Sequence, residues 1–461
     1  MYIKKVRLLI KMGVSQQRFI RRAIFPGELP SFFDLLRKEG LQVQAVSNVQ
    51  SIYFGNAGYP LPFGTSFGVQ RRTEGPASIV LDKESIFVSH EGDFGEEAFL
   101  LVQKNESLCG KDILAKLNDL SLATLLERIS RKHLLYESGL FSDVPITPFI
   151  ATQCNQETFA VSGGLEGTIN ANIGLYEFKD PRGEAIPLKG YKIAVVELRL
   201  EDSKREDLLS RLVSTLDDLG GFSTVSPKYM ALNRWVGRRN SEILSERPLM
   251  KEIPHAEYEL KWNIEGFDSG LLFLLLKQGF GREEGGFIQN PDNPYSWDRA
   301  AVHTYFQQGD ECVKVCLMGN KFKLSKKNSD RGKERVLRRD ESRTEYAWFS
   351  SWKDTVRDLG KNIGELIRFK KCFYVVNQSS DRIYQVAVDC SYSGSSCLSQ
   401  VEAEYSGRRN GRRSETAEVE VEAELELLKN RIESLPSISP YIRPSRLSKQ
   451  EWLISLNMGK N

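Results

Sequence analysis

Short segments in which apolar and polar residues alternate recur along the whole chain, and this period of two constrains the fold more than any other feature. Successive side chains of an extended strand point to opposite faces, so alternation builds sheets whose two faces meet different surroundings. Val49–Phe54, Ser78–Leu81, Gly174–Phe178 and Lys192–Leu200 carry the pattern in the first half. Glu257–Trp262, Cys312–Cys316, Lys321–Leu324, Cys372–Val376, Ile383–Val388 and Val401–Tyr405 carry it in the second. Helical spacing shows in Pro30–Lys38, Leu114–Leu135, Arg205–Leu219, Trp352–Ile367 and Glu420–Leu435. Several strands with a few helices in each half predict an α+β fold.

The two halves follow a similar order. Each opens on a charged strand, Arg18–Ile24 or Glu257–Trp262, followed by a helix and an aromatic strand, Ile52-Tyr-Phe54 or Thr304-Tyr-Phe306. Each closes on a Glu-bearing strand, a helix and a short Ser/Lys segment, Ser226-Pro-Lys-Tyr229 or Ser448-Lys449. A divergent tandem repeat follows, with a break near 240–254 and domains over 1–245 and 250–461.

Composition narrows the function classes. The 461 residues carry 64 Lys+Arg against 61 Asp+Glu, a formal net charge of +3, so any basic site is local rather than a general coat. The longest apolar run, Gly270–Leu276, is far shorter than the roughly 20 residues of a membrane span. Seven cysteines are scattered, and the C-x3-C pair Cys312/Cys316 has no nearby His/Cys partners, which points to reduced structural thiols rather than zinc and to a cytoplasmic setting. The four histidines, His90, His133, His255 and His303, fall in no catalytic motif. Residues 1–27 hold seven basic side chains and no acid, a composition shared by organelle-targeting peptides, although the same residues read as a first strand.

The chemistry concentrates in the second half. Glu257, Glu259 and Lys261 share one strand face, while Tyr258, Leu260 and Trp262 make the opposite face apolar. The charged face therefore lies in water or inside a polar barrel. Glu402 and Glu404 form a second same-face carboxylate pair, and Asp389 ends another strand. Carboxylate oxygens in this number suit Mg²⁺ or Mn²⁺. Between the acids, Lys314 to Arg343 holds eleven Lys/Arg and four acids, with Lys321 and Lys323 on one strand face, and Arg368-Phe-Lys-Lys371 adds a second basic stretch. Cations on several strands facing carboxylates suit a polyanion held beside a metal; a solvated basic surface or nucleic-acid groove shows the same block alone.

Glu257-x-Glu-x-Lys261, with Tyr305-Phe306, the Lys-rich strands, Asp389 and Glu402-x-Glu404 before a helix, resembles the signature of CYTH domains of the triphosphate tunnel metalloenzyme superfamily over roughly 255–455. The resemblance implies an eight-stranded antiparallel barrel whose polar tunnel binds a triphosphate and a divalent metal, Mg²⁺ or Mn²⁺. It implies Glu257, Glu259, Asp389, Glu402 and Glu404 around the metal, with Glu257 or Glu404 orienting the nucleophile. Lys261, Lys314, Lys321, Lys323, Arg339 and Lys371 would then bind phosphates. Gln307 stands where the family has an aspartate.

The first half resembles, more remotely, the VTC-type polyphosphate-polymerase branch. The resemblance runs through Arg18–Arg22, Ser51–Phe54, Arg71-Arg72, Pro145–Phe149, Gly167–Asn172, Val195–Arg199 and Ser226–Tyr229. Ile20 and Asn170 stand where acids are expected and Cys154-Asn-Gln156 where bases are expected, while Glu197 keeps its character. This half therefore reads as a degenerate tunnel, a binding or scaffolding module.

The expected function is metal-dependent hydrolysis of a triphosphate-containing small molecule (inorganic triphosphate, polyphosphate or a nucleoside triphosphate). The same tunnel chemistry serves a nucleotidyl cyclase, a polyphosphate polymerase or a non-catalytic binder. RNA is a lesser candidate partner, through the basic block and Arg408–Arg413. The Gly279–Gly286 stretch lacks the Lys-Ser/Thr ending of a phosphate loop. Glu418–Glu426 is expected to be helical with solvated acids; as a final barrel strand it would instead place Glu420 and Glu422 at the metal.

Overall fold

The structure is a computed structural model. It describes residues 18–458 except 57–58, 61–64, 74–77, 84–85, 92–107, 110–144, 162–164, 179–184, 201–205, 254–255, 268, 282–285, 294–296, 309–310, 319–320, 328–335, 348–357, 395 and 410–414.

The first half comprises β1 (Arg18–Ile24), α1 (Leu29–Lys38), β2 (Val43–Asn56), β3 (Tyr59–Pro60), β4 (Thr65–Arg72), β5 (Ser78–Lys83), β6 (Ile86–Glu91) and β7 (Leu108–Cys109). It continues with β8 (Pro145–Val161), β9 (Leu165–Phe178), β10 (Ala185–Leu188), β11 (Ala194–Leu200), α2 (Glu206–Asp218), β12 (Phe222–Ser223) and α3 (Pro227–Glu246). The second half comprises β13 (Ala256–Ile264), α4 (Ser269–Gly279), β14 (Phe287–Gln289), β15 (Trp297–Gln308), β16 (Glu311–Met318), β17 (Lys321–Lys327), β18 (Leu337–Ala347) and β19 (Lys361–Asn377). It ends with β20 (Arg382–Ser393), β21 (Ser396–Arg408), α5 (Ala417–Glu433), β22 (Ile442–Ser445) and α6 (Lys449–Met458).

The second half closes into an eight-stranded antiparallel barrel, β13-β21-β20-β19-β15-β16-β17-β18 and back to β13. The first half forms an antiparallel sheet with the same strand sequence, β1-β11-β9-β8-β2-β4-β5-β6, in which β6 and β1 are not paired among the described residues. The accessory elements repeat as well: β12 pairs with β1 and β22 with β13, each just before the half's last helix.

Alternation places the barrel wall between two environments. Tyr258, Leu260 and Trp262 of β13 point outward and pack with Leu272 and Phe273 of α4 and Val421, Leu425 and Leu428 of α5. Their neighbours in sequence point into the barrel. Another stretch of the outer wall, including Ala300, Val302, Val313 and Val315, packs in one cluster with Tyr229, Met230 and Trp235 of α3. The far side of α3 lies on the first-half sheet, with Val49, Ile150, Ile173 and Leu175 in that cluster. Arg238 and Arg239 of α3 both bond the fully buried Glu177 of β9, at 2.8 and 3.2 Å. The halves thus share a core, and Arg22 of β1 reaches Glu365 of β19 at 3.4 Å.

Helical spacing in Pro30–Lys38, Arg205–Leu219 and Glu420–Leu435 corresponds to α1, α2 and α5. The Trp352–Ile367 expectation is corrected, because its described part from Lys361 onward is strand β19. Gly360 stops any helix there: its φ is +85° and a Cβ would meet the Gln307 carbonyl at 2.2 Å, so the chain must turn before entering the sheet. Leu114–Leu135 lies outside the described residues. Helix α3 is longer than the expected Ser/Lys segment; Pro227 at its first position fixes φ for the opening turn. Cys154, Cys312, Cys316, Cys372, Cys390 and Cys397 are strand-borne and unbridged. No helix among the described residues is long and apolar enough to cross a membrane.

Candidate functional site

The inward face of the barrel is charged on nearly every strand. On β13, Glu259 lies opposite Glu404 of β21, and Lys261 lies opposite Glu402. Glu257 pairs with Arg339 of β18. Lys261 Nζ stands 2.7 Å from Glu259 Oε1, and Arg339 Nη1 stands 3.5 Å from the same oxygen. That oxygen is buried and receives no directed hydrogen bond. Its charge is balanced by the two cations beside it.

A second cluster lies deeper. Asp389 and Glu402 are buried, and Arg368 bonds both, at 2.8 Å to Glu402. Lys449 Nζ contacts Glu402 at 2.6 Å and Asp389 at 3.4 Å. Lys370 Nζ lies 3.5 Å from Glu402 and 3.8 Å from Glu404, which makes it a bridge between the clusters. Burial pushes the Glu402 carboxyl up, but Lys449, Arg368, Lys370 and Lys261 together hold it well below the usual carboxylate range. Burial likewise lowers Lys370, and the opposing pull of Glu402 leaves it raised. Lys449 remains lowered, because burial and Arg368 outweigh Asp389 and Glu402.

Helix α6 delivers Lys449 by a local device. Ser448 and Glu451 form a reciprocal capping box: the Glu451 amide donates to Ser448 Oγ at 3.1 Å and the Ser448 amide donates to Glu451 Oε2 at 2.7 Å. This fixes the first turn, where Lys449 sits. Trp452 and Leu453 of α6 pack with Tyr305, Leu366 and Leu398, covering this part of the barrel.

On β16–β18, Lys314 Nζ lies 3.9 Å from Glu341, and Arg343 Nε donates to Glu341 Oε2 at 2.7 Å. Lys323 pairs in register with Glu345. Burial and the neighbouring Arg343 lower the Lys323 ammonium. Lys321 is 64% exposed at the barrel rim, where it meets Glu345 at 3.1 Å. Gln307 pairs with Cys312 and Lys361. Burial pushes the thiols of Cys312 and Cys316 up to about 12 and about 11, so both stay protonated at neutral pH.

The structure therefore gathers Glu257, Glu259, Lys261, Lys314, Lys323, Arg339, Asp389, Glu402 and Glu404 on the inward face. Lys371 points the other way: its Nζ lies 5.4 Å from the Phe273 ring centroid of α4. Strand parity assigns Lys370 and Arg368 to the interior instead. The sequence reading also left Glu341, Arg343 and Lys449 out of the site. Counting by two from Asp389 across the β19–β20 register, where Lys370 faces Asp389, was the signal available. Glu420 and Glu422 lie on helix α5, so the alternative metal pair does not belong to a barrel strand.

The corresponding face of the first half is different. The register equates Glu197 with Glu402, because the first opposes Arg21 and Thr168 and the second opposes Lys261 and Ala387. Asn170 then takes the place of Asp389, and Gln156 that of Lys370. Arg21 bonds Glu197, and Asn170 Oδ1 accepts from Gln156 Nε2 at 2.9 Å. Ile20 is corrected from tunnel position to outer wall, since it packs with the α1 and α2 residues Phe32 and Leu212. Burial, with Glu197 adding to it, pushes the Cys154 thiol up to about 12.

No protein-family model matches the chain, and no curated protein does. Several solved structures are similar. The putative adenylyl cyclase HpAC1 from Hippeastrum, described as having a dominant triphosphatase activity, is 15% identical and matches 43% of this chain and 95% of its own at a TM-score of 0.28. The Pct1 RNA triphosphatase of S. pombe in complex with the Spt5 CTD is 12% identical, matching 43% of this chain and 88% of its own at a TM-score of 0.22. A chain of the Schizosaccharomyces pombe Mediator head module is 9% identical, matching 39% of this chain and 95% of its own at a TM-score of 0.28.

Proposed function

We propose that the second-half barrel binds the phosphate chain of a triphosphate-containing small molecule and hydrolyses it with the help of Mg²⁺ or Mn²⁺. The observation that carries this reading is the closed barrel with carboxylates and cations interleaved on its inward face. Such a lining is useful to a ligand that is itself densely anionic and brings its own cations. Among the described residues no three potential ligand side chains converge closely enough to hold an ion by themselves. The carboxylates fit a hard cation that takes part of its shell from water and phosphate, as Mg²⁺ does. Glu257, Glu259 and Glu404 would hold it, and when bound it would neutralise charge on the phosphate oxygens.

The chain's own residues do the rest. Lys314, Lys323, Arg339, Arg343 and Lys370 would bind phosphate oxygens, with Lys261 fixing Glu259 in place. Glu257 or Glu404 would accept a hydrogen bond from the attacking water and orient it towards the terminal phosphorus. Hydrolysis is preferred to cyclisation or polymerisation because water needs no second binding site. The engagement of Glu402 by Lys449, Arg368 and Lys370 favours a second reading, binding without turnover. The test is phosphate release from tripolyphosphate and from ATP with Mg²⁺ or Mn²⁺, comparing the natural chain with Glu257→Gln/Glu259→Gln. Metal-dependent release lost in the variant supports hydrolysis. Binding of tripolyphosphate without release supports the second reading, and neither release nor binding removes the tunnel proposal.

A further inference from the structure

The charged barrel opens into a cleft of about 950 Å³ whose walls come from both halves of the chain. Its inner wall carries Glu257, Arg343 and Glu404, all placed on the phosphate-binding face above. Its outer wall includes Asn240 and Leu244 from the last turns of α3, which belongs to the first half. Leu244 is 43% exposed, a large apolar side chain left open beside the charged mouth. Tyr374 and Tyr405 also line the cleft.

This wall is held in a fixed position. Arg247, directly after α3, bonds Asp292 of the second half. Met250 forms an isolated β-bridge with Arg408, the two amides donating to the opposite carbonyls at 2.8 and 3.0 Å. Glu252 is buried and accepts from Arg382 at 2.9 Å, Arg408 at 3.1 Å and Tyr405 at 3.2 Å. The segment joining the halves is therefore tied to the barrel rim, and α3 presents a preorganised surface to whatever occupies the mouth.

At the α3 end Asp292 bonds both Arg247 and Arg409, and beside these paired charges and Lys251 the cleft offers the uncharged side chains Asn240, Ile243 and Leu244, a surface suited to the uncharged part of a ligand. A bare phosphate chain would satisfy the inner end and leave Asn240, Ile243 and Leu244 unused. We infer that the end of α3 receives the organic group carried by the phosphate chain, so the first half selects the substrate that the second half processes. The ligand class is a triphosphate ester of an uncharged organic group, such as a nucleoside. This inference rests on the triphosphate reading of the barrel.

The experiment measures binding of ATP and of tripolyphosphate by calorimetry, with Mg²⁺, to the full chain and to its Asn240→Ala and Leu244→Ser variants. Both residues are at the surface, and the melting temperature without ligand checks folding. The expected result is an affinity for ATP weakened about tenfold, the equivalent of one lost apolar or hydrogen-bonding contact, with that for tripolyphosphate changed less than about twofold. Equal changes for both ligands, or none for either, overturn the role of α3 and leave the barrel reading standing. Failure of the natural chain to bind either ligand overturns both.

Discussion

The two halves share one strand order and differ in what fills the space inside. In the second half the inward face is lined by opposed charges, the outer wall takes α4 and α5, and α6 adds Lys449 to the inward cluster. In the first half the corresponding sheet face is covered by α3, with Val49, Ile150, Ile173 and Leu175 in the same cluster. The substitutions agree with this. Asn170 and Gln156 pair with each other by a neutral hydrogen bond where Asp389 and Lys370 carry charge. Topology alone therefore says little about activity, and the lining decides it.

The largest expected difference is in turnover. Glu257→Gln/Glu404→Gln should reduce phosphate release from the preferred triphosphate by about 10³-fold, because it removes carboxylates assigned to metal and nucleophile. Glu197→Gln, at the first-half position equivalent to Glu402, should stay within about threefold. A comparable loss in Glu197→Gln would show that the first half takes part in the chemistry, and the contrast drawn here would fail.

Stability should show the reverse asymmetry. Trp235 of α3 is 4% exposed in the cluster that α3 shares with the first-half sheet and the barrel wall. Trp235→Ala should cost about 3–4 kcal/mol in urea unfolding, as expected for an aromatic removed from a packed interior. A much smaller cost would mean that α3 rests loosely on the sheet and could leave it, making the first half an openable site.

Much of this was legible in the sequence, for identifiable reasons. Alternation in Glu257–Trp262 fixes which residues face inward, because parity is set by the chain itself and the outward Tyr258, Leu260 and Trp262 need apolar partners. The run Glu418–Glu426 alternates like a strand, and its helix was readable only from the continuation into Leu427–Ile432. Its acids are not all solvated as expected, because Glu424 is buried and accepts from Arg382 and Tyr384. Parity failed at Arg368-Phe-Lys-Lys371, where adjacent lysines give no alternation to count and only the register with Asp389 selects Lys370. Ile20 failed for the related reason that an apolar residue at a strand position marks the helix-facing wall as readily as a lost acid. Lys449 was missed because it arrives from a helix near the end of the chain, and sequence distance from Asp389 and Glu402 hides their contact. The covering of the first-half sheet by α3 is a packing fact, visible only when the helix is placed against Ile150 and Leu175.

Restoring the missing acid sharpens the comparison further. Asn170 is 4% exposed, and its Oδ1 accepts from Gln156 and Cys154. Asn170→Asp would put a carboxylate beside Glu197 with Arg21 as the nearby cation already engaged. It should destabilise the protein by about 2 kcal/mol at pH 7 without conferring triphosphate binding on the first half. The readouts are a urea midpoint and calorimetry on a chain whose second-half site is disabled by Glu257→Gln/Glu404→Gln. Stabilisation by added Mg²⁺ in the Asp variant would instead indicate that one residue separates the two halves functionally.

The smallest effect concerns acid. Glu402 is buried, which by itself raises its carboxyl, but the cations Lys449, Arg368, Lys370 and Lys261 hold it well below the usual range. A carboxyl whose folded value lies below its unfolded one stabilises the fold fully above the unfolded value, about 4.3, and loses that contribution as pH falls towards the folded one. Melting temperatures of the natural chain and of Glu402→Gln between pH 7 and pH 3 should therefore differ most near neutrality, with the variant lower, and converge as pH drops below about 4.3. A gap that stays constant over the whole range would mean that Glu402 contributes by shape and hydrogen bonding rather than by charge, and that the cluster around Lys449 is not the electrostatic feature separating the second half from the first.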